Sequence, residues 1–370
     1  MTQRRMRTAG AVTASSLVIA LAACSTGGDD ETRETASPSA STAETEEPTT
    51  VPPTVDAEIA SGVNVPWGLV FREDGTALVA QRDDASILAI DAEGTVTDLG
   101  AVEGVQPGGE GGLLGLALSP DESTLYAYLT AAEDNRVVAM ELSEDSLGTP
   151  EPVLTGIDKA NNHNGGALVY DTDEDVLFVA TGDALQPDLA QDSSALEGKI
   201  LRITPDGAPA PGNPFDNEVW SLGHRNVQGL AFDAEGRLWS SEFGDKGADE
   251  LNLIEAGGNY GWPVVEGEST DERFVAPQVT WPTEEASPSG LAIIADTAYL
   301  GALRGQRLWS VPLDGDQAGE PEAFLGEEFG RIRAVAAAPD GTLWVGTSNT
   351  DGRAQPAADD DRLLRLTVQE

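Results

Sequence analysis

Residues 67–80 read Trp-Gly-Leu-Val-Phe-Arg-Glu-Asp-Gly-Thr-Ala-Leu-Val-Ala, which is two short apolar runs around an Asp-Gly pair. Apolar runs of this length on either side of a tight-turn dipeptide are typical of a β-hairpin. The same arrangement returns five more times along the chain, and each run contains one apolar anchor residue. The first anchors are Leu69, Leu116, Leu168, Leu230, Leu291 and Val335, and the second anchors are Leu78, Leu125, Leu177, Leu238, Tyr299 and Leu343.

The spacing of these anchors indicates the fold. First and second anchors lie eight or nine residues apart in every copy, and successive second anchors lie 44 to 61 residues apart. That period is typical of a four-stranded β-propeller blade with loops of variable length. A hairpin cannot bury both of its faces alone, whereas six of them around an axis can, and a β-sandwich would require no such repeat. We therefore predict an all-β fold, a six-bladed β-propeller with four-stranded antiparallel blades, over residues 57–370.

The residues before the repeats predict an export signal and a tether. Three arginines among the first seven residues precede an apolar stretch that is too short to span a bilayer and ends in Leu-Ala-Ala before Cys24. This pattern is typical of a bacterial lipoprotein with a signal peptide over residues 1–23 and lipidation of Cys24, the only cysteine. An ordinary signal peptide with a chance cysteine is the alternative. Residues 24–56 are mostly Ser, Thr, Glu, Asp and Pro and predict a disordered acidic tether.

The charge of the chain restricts its partners. There are 21 Lys and Arg against 64 Asp and Glu, a formal net charge of −43. A surface this acidic repels phosphate backbones and anionic lipid headgroups, so we expect no nucleic-acid binding and contact with the membrane through the lipid anchor only. The predicted location is the extracytoplasmic side of the cell membrane, after export.

The two histidines of the chain, His163 and His224, are candidate functional residues. Each lies at the start of a repeat within a polar run flanked by glycine. Because they share one position relative to their repeats, a propeller would bring both to the same face. Histidine is the side chain best suited to moving a proton near neutral pH. A purely structural histidine is the alternative at each position.

Scarce cations and one acidic stretch form the other candidate groups. Arginines at the starts of blades predict a small polyanionic ligand in the channel, with ordinary ion pairing as the alternative. Those arginines are Arg225, Arg304, Arg331 and Arg333. Residues 241–250, followed by residues 257–263, contain carboxylates and, next to glycines, main-chain carbonyls that could bind a cation. This composition suggests a site for a hard cation such as Ca²⁺, although acidic residues are common throughout this chain.

Together these motifs resemble the glucose/sorbosone dehydrogenase family, soluble sugar dehydrogenases that depend on pyrroloquinoline quinone (PQQ). The resemblance runs over residues 65–366, nearly the whole predicted propeller, and the family has a six-bladed propeller fold. The segments that carry it are Pro66-Trp67-Gly68-Leu69, residues 109–115, His163-Asn164-Gly165-Gly166, Gly223-His224-Arg225-Asn226, Asn259-Tyr260-Gly261-Trp262-Pro263 and Arg331-Ile332-Arg333.

The resemblance implies PQQ- and Ca²⁺-dependent oxidation of an aldose, with electrons passed to an external acceptor. His163 would be the general base toward the anomeric hydroxyl, Asp183 would orient it, and Arg225 would stabilise developing charge. The implied cofactor contacts are Glu110, His163, Arg225, Asn226, Trp281, Thr283, Arg304, Arg331 and Arg333. One Ca²⁺ would use the carbonyls of Gly244 and Asp245, and a second would use Glu250 and Tyr260.

Three residues depart from the family pattern. Glu110 stands where Gln is usual, and its carboxylate should weaken binding of an anionic cofactor unless it is protonated or paired with arginine. Ala167 stands where Arg is common, and Asn162 where Asp can precede the base. Two alternatives follow from the sequence: a non-catalytic propeller lipoprotein that binds a glycan or a protein, and a gluconolactonase-like hydrolase. The second would need a central ring of acidic and Asn metal ligands that the sequence does not reveal.

Overall fold

The structure is a computed structural model that describes residues 52–368, and within them it forms six β-sheets arranged as the blades of a propeller. The signal peptide, Cys24 and most of the predicted tether lie outside the described residues. The first three blades consist of β2 (Pro66–Phe71), β3 (Ala77–Gln81), β4 (Ser86–Ile90) and β5 (Val96–Ala101); β6 (Leu113–Leu118), β7 (Thr124–Thr130), β8 (Asn135–Glu141) and β9 (Glu151–Ile157); and β10 (Gly165–Asp171), β11 (Val176–Thr181), β12 (Lys199–Ile203) and β13 (Val219–Leu222).

The other three blades repeat this order with two variations. They consist of β14 (Val227–Phe232), β15 (Leu238–Glu242), β16 (Asp249–Leu253) and β17 (Val279–Trp281); β18 (Pro288–Ile294), β19 (Thr297–Ala302), β20 (Arg307–Asp314), β21 (Gln317–Ala318) and β22 (Glu322–Phe324); and β23 (Ile332–Ala337), β24 (Leu343–Thr347), β25 (Arg362–Thr367) and β1 (Thr54–Ser61). In the fifth blade, β21 is a short extra strand that pairs with the end of β20. The single helix of the described residues is a 3₁₀ turn, Pro187–Gln191, and no helix there is long and apolar enough to cross a membrane.

The six predicted hairpins are confirmed as the two innermost strands of the six blades. In the first blade Leu69 pairs with Val79, next to the second anchor Leu78. In the other five sheets the first anchor pairs with a residue one or two positions after the second anchor. The prediction of a six-bladed propeller with four-stranded antiparallel blades is therefore correct.

The ring closes through its first strand. β1 pairs antiparallel with β25, from Thr54 opposite Thr367 to Ser61 opposite Arg362. The N-terminal strand thus becomes the outer strand of the last blade, and main-chain hydrogen bonds join the two ends of the propeller. Since β1 begins at Thr54, the last three residues assigned to the tether belong to this blade.

The glycine before most first anchors lets the inner strands pack against each other. A Cβ on Gly115 would lie 2.1 Å from the carbonyl oxygen of Gly166, and one on Gly290 would lie 2.6 Å from that of Arg333. Any side chain at these positions would push the neighbouring blade away. The anchors that follow line a central cavity of about 480 Å³, with contributions from all six inner strands.

Candidate active site

The loops that precede the inner strands meet at one end of the channel, where His163 and Asp183 form a hydrogen-bonded pair. His163 precedes β10 and Asp183 follows β11, so the hairpin brings the two side chains together, with Nδ1 of His163 2.8 Å from Oδ1 of Asp183. The Asp183 side chain is 1% exposed and that of His163 is 15% exposed. The imidazole is therefore accessible, and the carboxylate behind it is shielded from water.

Asp183 is a hydrogen-bond acceptor on both oxygens. The indole Nε1 of Trp262 donates to Oδ2 at 2.9 Å, and the N–H of Leu185 donates to Oδ1 at 2.8 Å. A carboxylate engaged in this way favours the His163 tautomer that carries its proton on Nδ1. That tautomer leaves Nε2 of His163 with a free lone pair, which is what a general base requires.

The backbone of His163 is held in an uncommon conformation. Its φ is +61°, in the left-handed region that costs a non-glycine residue about 1 kcal/mol or more. Its N–H donates to Oε2 of Glu110 at 3.0 Å, and its carbonyl accepts from the N–H of Ala184 at 3.1 Å. The neighbouring segments thus fix the direction in which the imidazole points.

Glu110 is paired with an arginine that the sequence interpretation did not anticipate. Oε1 of Glu110 accepts hydrogen bonds from Nη2 of Arg353 and from Nδ2 of Asn162, both at 3.0 Å. Burial would raise the pKa of Glu110, but the His163 N–H and the charges of Arg353 and Arg333 outweigh burial and lower the pKa. Of the two conditions for tolerating a carboxylate here, pairing with arginine is therefore the one that is met.

Arg225 and Asn226 carry buried donors that have no hydrogen-bond partner among residues 52–368. The Arg225 guanidinium lies over the Trp262 ring at 5.4 Å, and its Nη1 donates to the carbonyl of Phe243. The Asn226 side chain accepts the N–H of Gly165 through Oδ1. Nε of Arg225 and Nδ2 of Asn226 remain unsatisfied, and such donors in a protein interior require an acceptor. An acceptor-rich anionic group, such as a quinone cofactor with carboxylates, fits this donor set.

Arg331 and Arg333 share one carboxylate, as the alternation of the Arg-Ile-Arg segment predicts. Nη2 of Arg331 lies 2.8 Å from Oδ2 of Asp351, and Nη2 of Arg333 lies 3.7 Å from the same oxygen. Burial, followed by the nearby charge of Arg82, lowers the pKa of Arg333 to about 9. Arg333 is therefore cationic at neutral pH, and its Nη1 also donates to Oε1 of Gln228.

Three further predicted cofactor contacts, Arg304, Trp281 and Thr283, differ in their exposure. Arg304 is exposed and forms no ion pair among residues 52–368. Trp281 is 3% exposed, and its ring packs against Trp309 in the core, at a centroid distance of 5.7 Å. Its Nε1 is buried without a hydrogen-bond partner among residues 52–368, and its contact with a cofactor stays a prediction. Thr283 is half-buried.

His224 is a buried structural residue and differs from His163 in this respect. Its Nδ1 lies 2.8 Å from Oε2 of Glu242, its Nε2 lies 2.8 Å from Oγ of Ser221, and its ring stacks on Tyr260. It has no exposed surface. Glu242 also accepts the N–H of Arg225. The two histidines therefore do not face a common substrate pocket, and His224 instead supports the segment that carries Arg225.

Three of the four predicted calcium residues, Gly244, Glu250 and Tyr260, line a very small cavity of about 10 Å³ together with Glu266, whereas Asp245 does not line it. Burial, and then the charge of Glu242, raise the pKa of Glu250 above its ordinary value. Residues 52–368 contain no group of three or more His, Cys, Asp or Glu side chains that could hold a metal ion. Any cation here would therefore depend on main-chain oxygens as well.

The donor chemistry of this region is nevertheless compatible with a hard cation. Glu250 is a buried carboxylate, and beside it Oδ1 of Asn252 has no hydrogen-bond partner in the part of the chain that the structure describes. The Tyr260 hydroxyl donates to the carbonyl of Leu253 at 2.6 Å and accepts the N–H of Glu255 at 2.8 Å, so the main-chain carbonyl is the Tyr260 oxygen that we assign to a cation. The N–H groups of Asp245 and Lys246 both donate to Glu266, which orders the turn that carries the Gly244 and Asp245 carbonyls.

Comparison with known proteins identifies the family of this chain. The sequence pattern of the family described as Glucose / Sorbosone dehydrogenase matches residues 63–364. The chain belongs to this family. It is 49% identical to a PQQ-bound aldose sugar dehydrogenase from Streptomyces coelicolor whose structure superposes with a TM-score of 0.83, covering 86% of this chain and 98% of that one.

Curated relatives agree with this assignment. An aldose sugar dehydrogenase of Escherichia coli is 29% identical over 342 residues, 81% of this chain and 92% of that protein. Quinoprotein glucose dehydrogenase B of Acinetobacter calcoaceticus is 31% identical over 257 residues, 58% of this chain and 54% of that protein. The glucose/sorbosone dehydrogenase member described here is thus an oxidoreductase of the PQQ glucose dehydrogenase type, and its substrate is a small-molecule sugar.

Several residues of the site escaped the sequence interpretation. Trp262, whose indole fixes Asp183, lies within a quoted motif, and the motif could have indicated it. Asp351 and Arg353 lie in a loop without any motif, and Glu266 is one of many acidic residues. Only the tertiary structure brings these three to the site.

Proposed function

We propose that this chain oxidises an aldose at the anomeric carbon to the corresponding lactone, with PQQ and Ca²⁺ as cofactors. The observation that carries the proposal is the His163–Asp183 pair, which lies in the same loop cluster as the unsatisfied donors of Arg225 and Asn226. When bound, PQQ would accept two electrons and one proton equivalent as hydride from the sugar, and Ca²⁺ would increase its electrophilicity.

His163 would act on the hydroxyl of the anomeric carbon. Nε2 would take the hydroxyl proton while the C–H bond breaks with its electron pair, so that the new carbon–oxygen double bond completes the lactone. Asp183 would hold Nδ1–H and stabilise the imidazolium that forms, because a buried carboxylate beside a ring nitrogen favours its charged form. Trp262 would keep Asp183 in place through its indole N–H.

The cationic residues would hold the cofactor. Nε of Arg225 and Nδ2 of Asn226 are donors for its oxygens, and preorganised donors of this kind stabilise developing negative charge. Arg331, Arg333 and the exposed Arg304 would meet its carboxylates, with Thr283 at the margin. The carbonyls of Gly244 and Asp245 would bind the catalytic Ca²⁺, and Glu250 with the main-chain oxygen of Tyr260 would bind a second one.

The remaining parts of the proposal concern location and partners. We propose export through the signal peptide over residues 1–23, lipidation of Cys24, a tether reaching to the first strand, and electron transfer to an external acceptor. Labelling of the expressed chain with a radioactive fatty acid would test the anchor. Cys24→Ala should remove the label and release the protein from the membrane fraction, and a labelled Cys24→Ala chain would refute the lipidation site.

A titration of the purified propeller with PQQ in the presence of Ca²⁺ tests the cofactor, and an aldose panel with an artificial electron acceptor tests the reaction. We expect saturable absorbance changes and turnover of at least one aldose. His163→Ala should abolish turnover and leave the melting temperature within a few degrees. Absence of PQQ binding by the intact chain would refute the proposal and leave the non-catalytic binding protein as the alternative. The pairing of Glu110 with Arg353 weakens the case for that alternative, because the carboxylate is then compensated by an arginine.

A further inference from the structure

The loop between β24 and β25 contacts both the Arg331–Arg333 pair and the residues around His163. Its Asp351 accepts hydrogen bonds from Nε and Nη2 of Arg331 at 3.2 and 2.8 Å, and its Arg353 donates to Glu110 at 3.0 Å. The N–H of Arg353 itself donates to Oδ1 of Asp351 at 3.0 Å. One short segment of the last blade therefore connects the arginine pair with the residues around His163.

We infer that Arg353 is a positioning residue that acts through Glu110 to hold the peptide N–H of His163. The role of Arg353 in catalysis rests on the proposed function, whereas its contacts are observed independently of that function. The link spans 243 residues of sequence between Glu110 and Arg353, so it exists only because the propeller closes into a ring.

The two oxygens of Glu110 have separate tasks. Oε2 accepts the N–H of His163, and Oε1 accepts Nη2 of Arg353 together with the side-chain amide of Asn162. The Glu110 side chain is 11% exposed and that of Arg353 is 42% exposed. Loss of Arg353 would remove the one ion pair that Glu110 forms within the described part of the chain, and a buried charge with less compensation is unfavourable.

The position of the Glu110 carboxylate, which Arg353 holds in place, matters because the backbone of His163 adopts an uncommon conformation. A left-handed φ at a non-glycine residue persists only where the surroundings enforce it. The hydrogen bond to Glu110 is the contact that fixes the N–H of this peptide. A Glu110 carboxylate free to turn toward water would loosen the imidazole relative to Asp183 as well.

Charge balance gives Arg353 a second effect. Arg333 and Arg353 both act on Glu110, and the proposed ligand is anionic. With Arg353 present, the Glu110–Arg353 pair is close to neutral and the Arg331–Arg333 pair retains excess positive charge over Asp351. Without Arg353, the carboxylate of Glu110 would repel the ligand. Glutamate is therefore acceptable here on condition that Arg353 accompanies it.

The decisive experiment is a double-mutant cycle with Arg353→Ala, Glu110→Gln and the double variant. Arg273→Ala, which removes an exposed arginine paired with Asp271, is the matched surface control. The first measurement is hydrogen exchange of the His163 amide in the chain without cofactor. Arg353→Ala should accelerate this exchange about tenfold, which corresponds to a coupling of ordinary size between adjacent polar groups. The double variant should return to within about threefold of wild type, because a neutral amide needs no counter-ion.

The second measurement is the dissociation constant for PQQ by absorbance titration. It should rise about tenfold in Arg353→Ala and recover in the double variant, and Arg353→Lys should be intermediate because it keeps the charge but not the planar geometry. Unchanged amide exchange in Arg353→Ala, or a double variant that exchanges as fast as the single one, would overturn the inference. Failure of the wild-type chain to bind PQQ would refute the proposed function, whereas the amide exchange would still decide the role of Arg353.

Discussion

Replacement of Asp183 by asparagine tests the reasoning on the active site most directly. The substitution preserves the size of the side chain and changes only what its two terminal atoms can accept. Asp183 accepts three hydrogen bonds, from Nδ1 of His163 and the N–H of Leu185 on one oxygen and from Nε1 of Trp262 on the other. An asparagine has only one oxygen, so it cannot satisfy all three donors.

Each orientation of the new amide leaves one conflict. If its oxygen faces His163, its NH₂ group opposes the indole N–H of Trp262. If it is flipped, the NH₂ group opposes the N–H of Leu185 and donates to Nδ1 of His163, which puts the imidazole proton on the wrong nitrogen. A buried unsatisfied donor costs about 1–3 kcal/mol, so we expect that loss in the free energy of unfolding.

We expect the loss of turnover in Asp183→Asn to be larger than the loss of stability. Both orientations remove the negative charge that would stabilise the imidazolium, and one of them also removes the free lone pair on Nε2. By analogy with other histidine–aspartate pairs, kcat should fall by about 10²- to 10⁴-fold. Steady-state kinetics with an aldose and an artificial acceptor measure this fall, and a PQQ titration checks that cofactor binding stays within about threefold.

Trp262→Phe supplies the control. It removes the indole donor and keeps an aromatic ring under Arg225. Because Trp262→Phe relieves the clash of donors, Asp183→Asn should cost less stability in the Trp262→Phe background than in wild type, while turnover stays low. A single variant Asp183→Asn with kcat within threefold of wild type would refute the role of Asp183.

Three further predictions concern stability. Gly115→Ala should destabilise the chain by about 2 kcal/mol or more, because the new Cβ would meet the Gly166 carbonyl. Gly326 has open space around it, so Gly326→Ala should change the free energy of unfolding by less than about 0.5 kcal/mol. Denaturant titrations measure both values. Lys199 donates to three main-chain carbonyls, and burial lowers its pKa to about 8 from 10.5. Between these two pH values the unfolded chain binds more protons than the folded chain. The stability of wild type relative to Lys199→Met should therefore rise with pH over that interval. Removal of calcium by a chelator should lower the melting temperature by a few degrees, with recovery on adding Ca²⁺; an equal response in Glu250→Gln would contradict a cation held by Glu250.

The repeat in the sequence was sufficient to determine the fold. Six hairpins with nearly constant spacing between their anchors define six blades, because strand pairing within a hairpin is local and depends on neighbouring residues. The residues of the His163–Asp183 pair were also accessible from the sequence, since they flank two strands of one hairpin and their motifs resemble those of a known family. The closing strand was not predicted: β1 starts within the acidic tether, and its pairing with β25 depends on the two ends of the chain meeting.

The tertiary structure alone decided how the site is balanced. The sequence placed Glu110 against the anionic cofactor as a carboxylate without a visible partner, and Arg353 supplies that partner from the last blade. It also suggested two equivalent histidines, whereas His224 is buried against Glu242 and Tyr260 and His163 is accessible. The physical reason is the same in both cases. Charge compensation and burial depend on residues from other blades, and a sequence records local spacing but not which distant side chains the closed ring brings together.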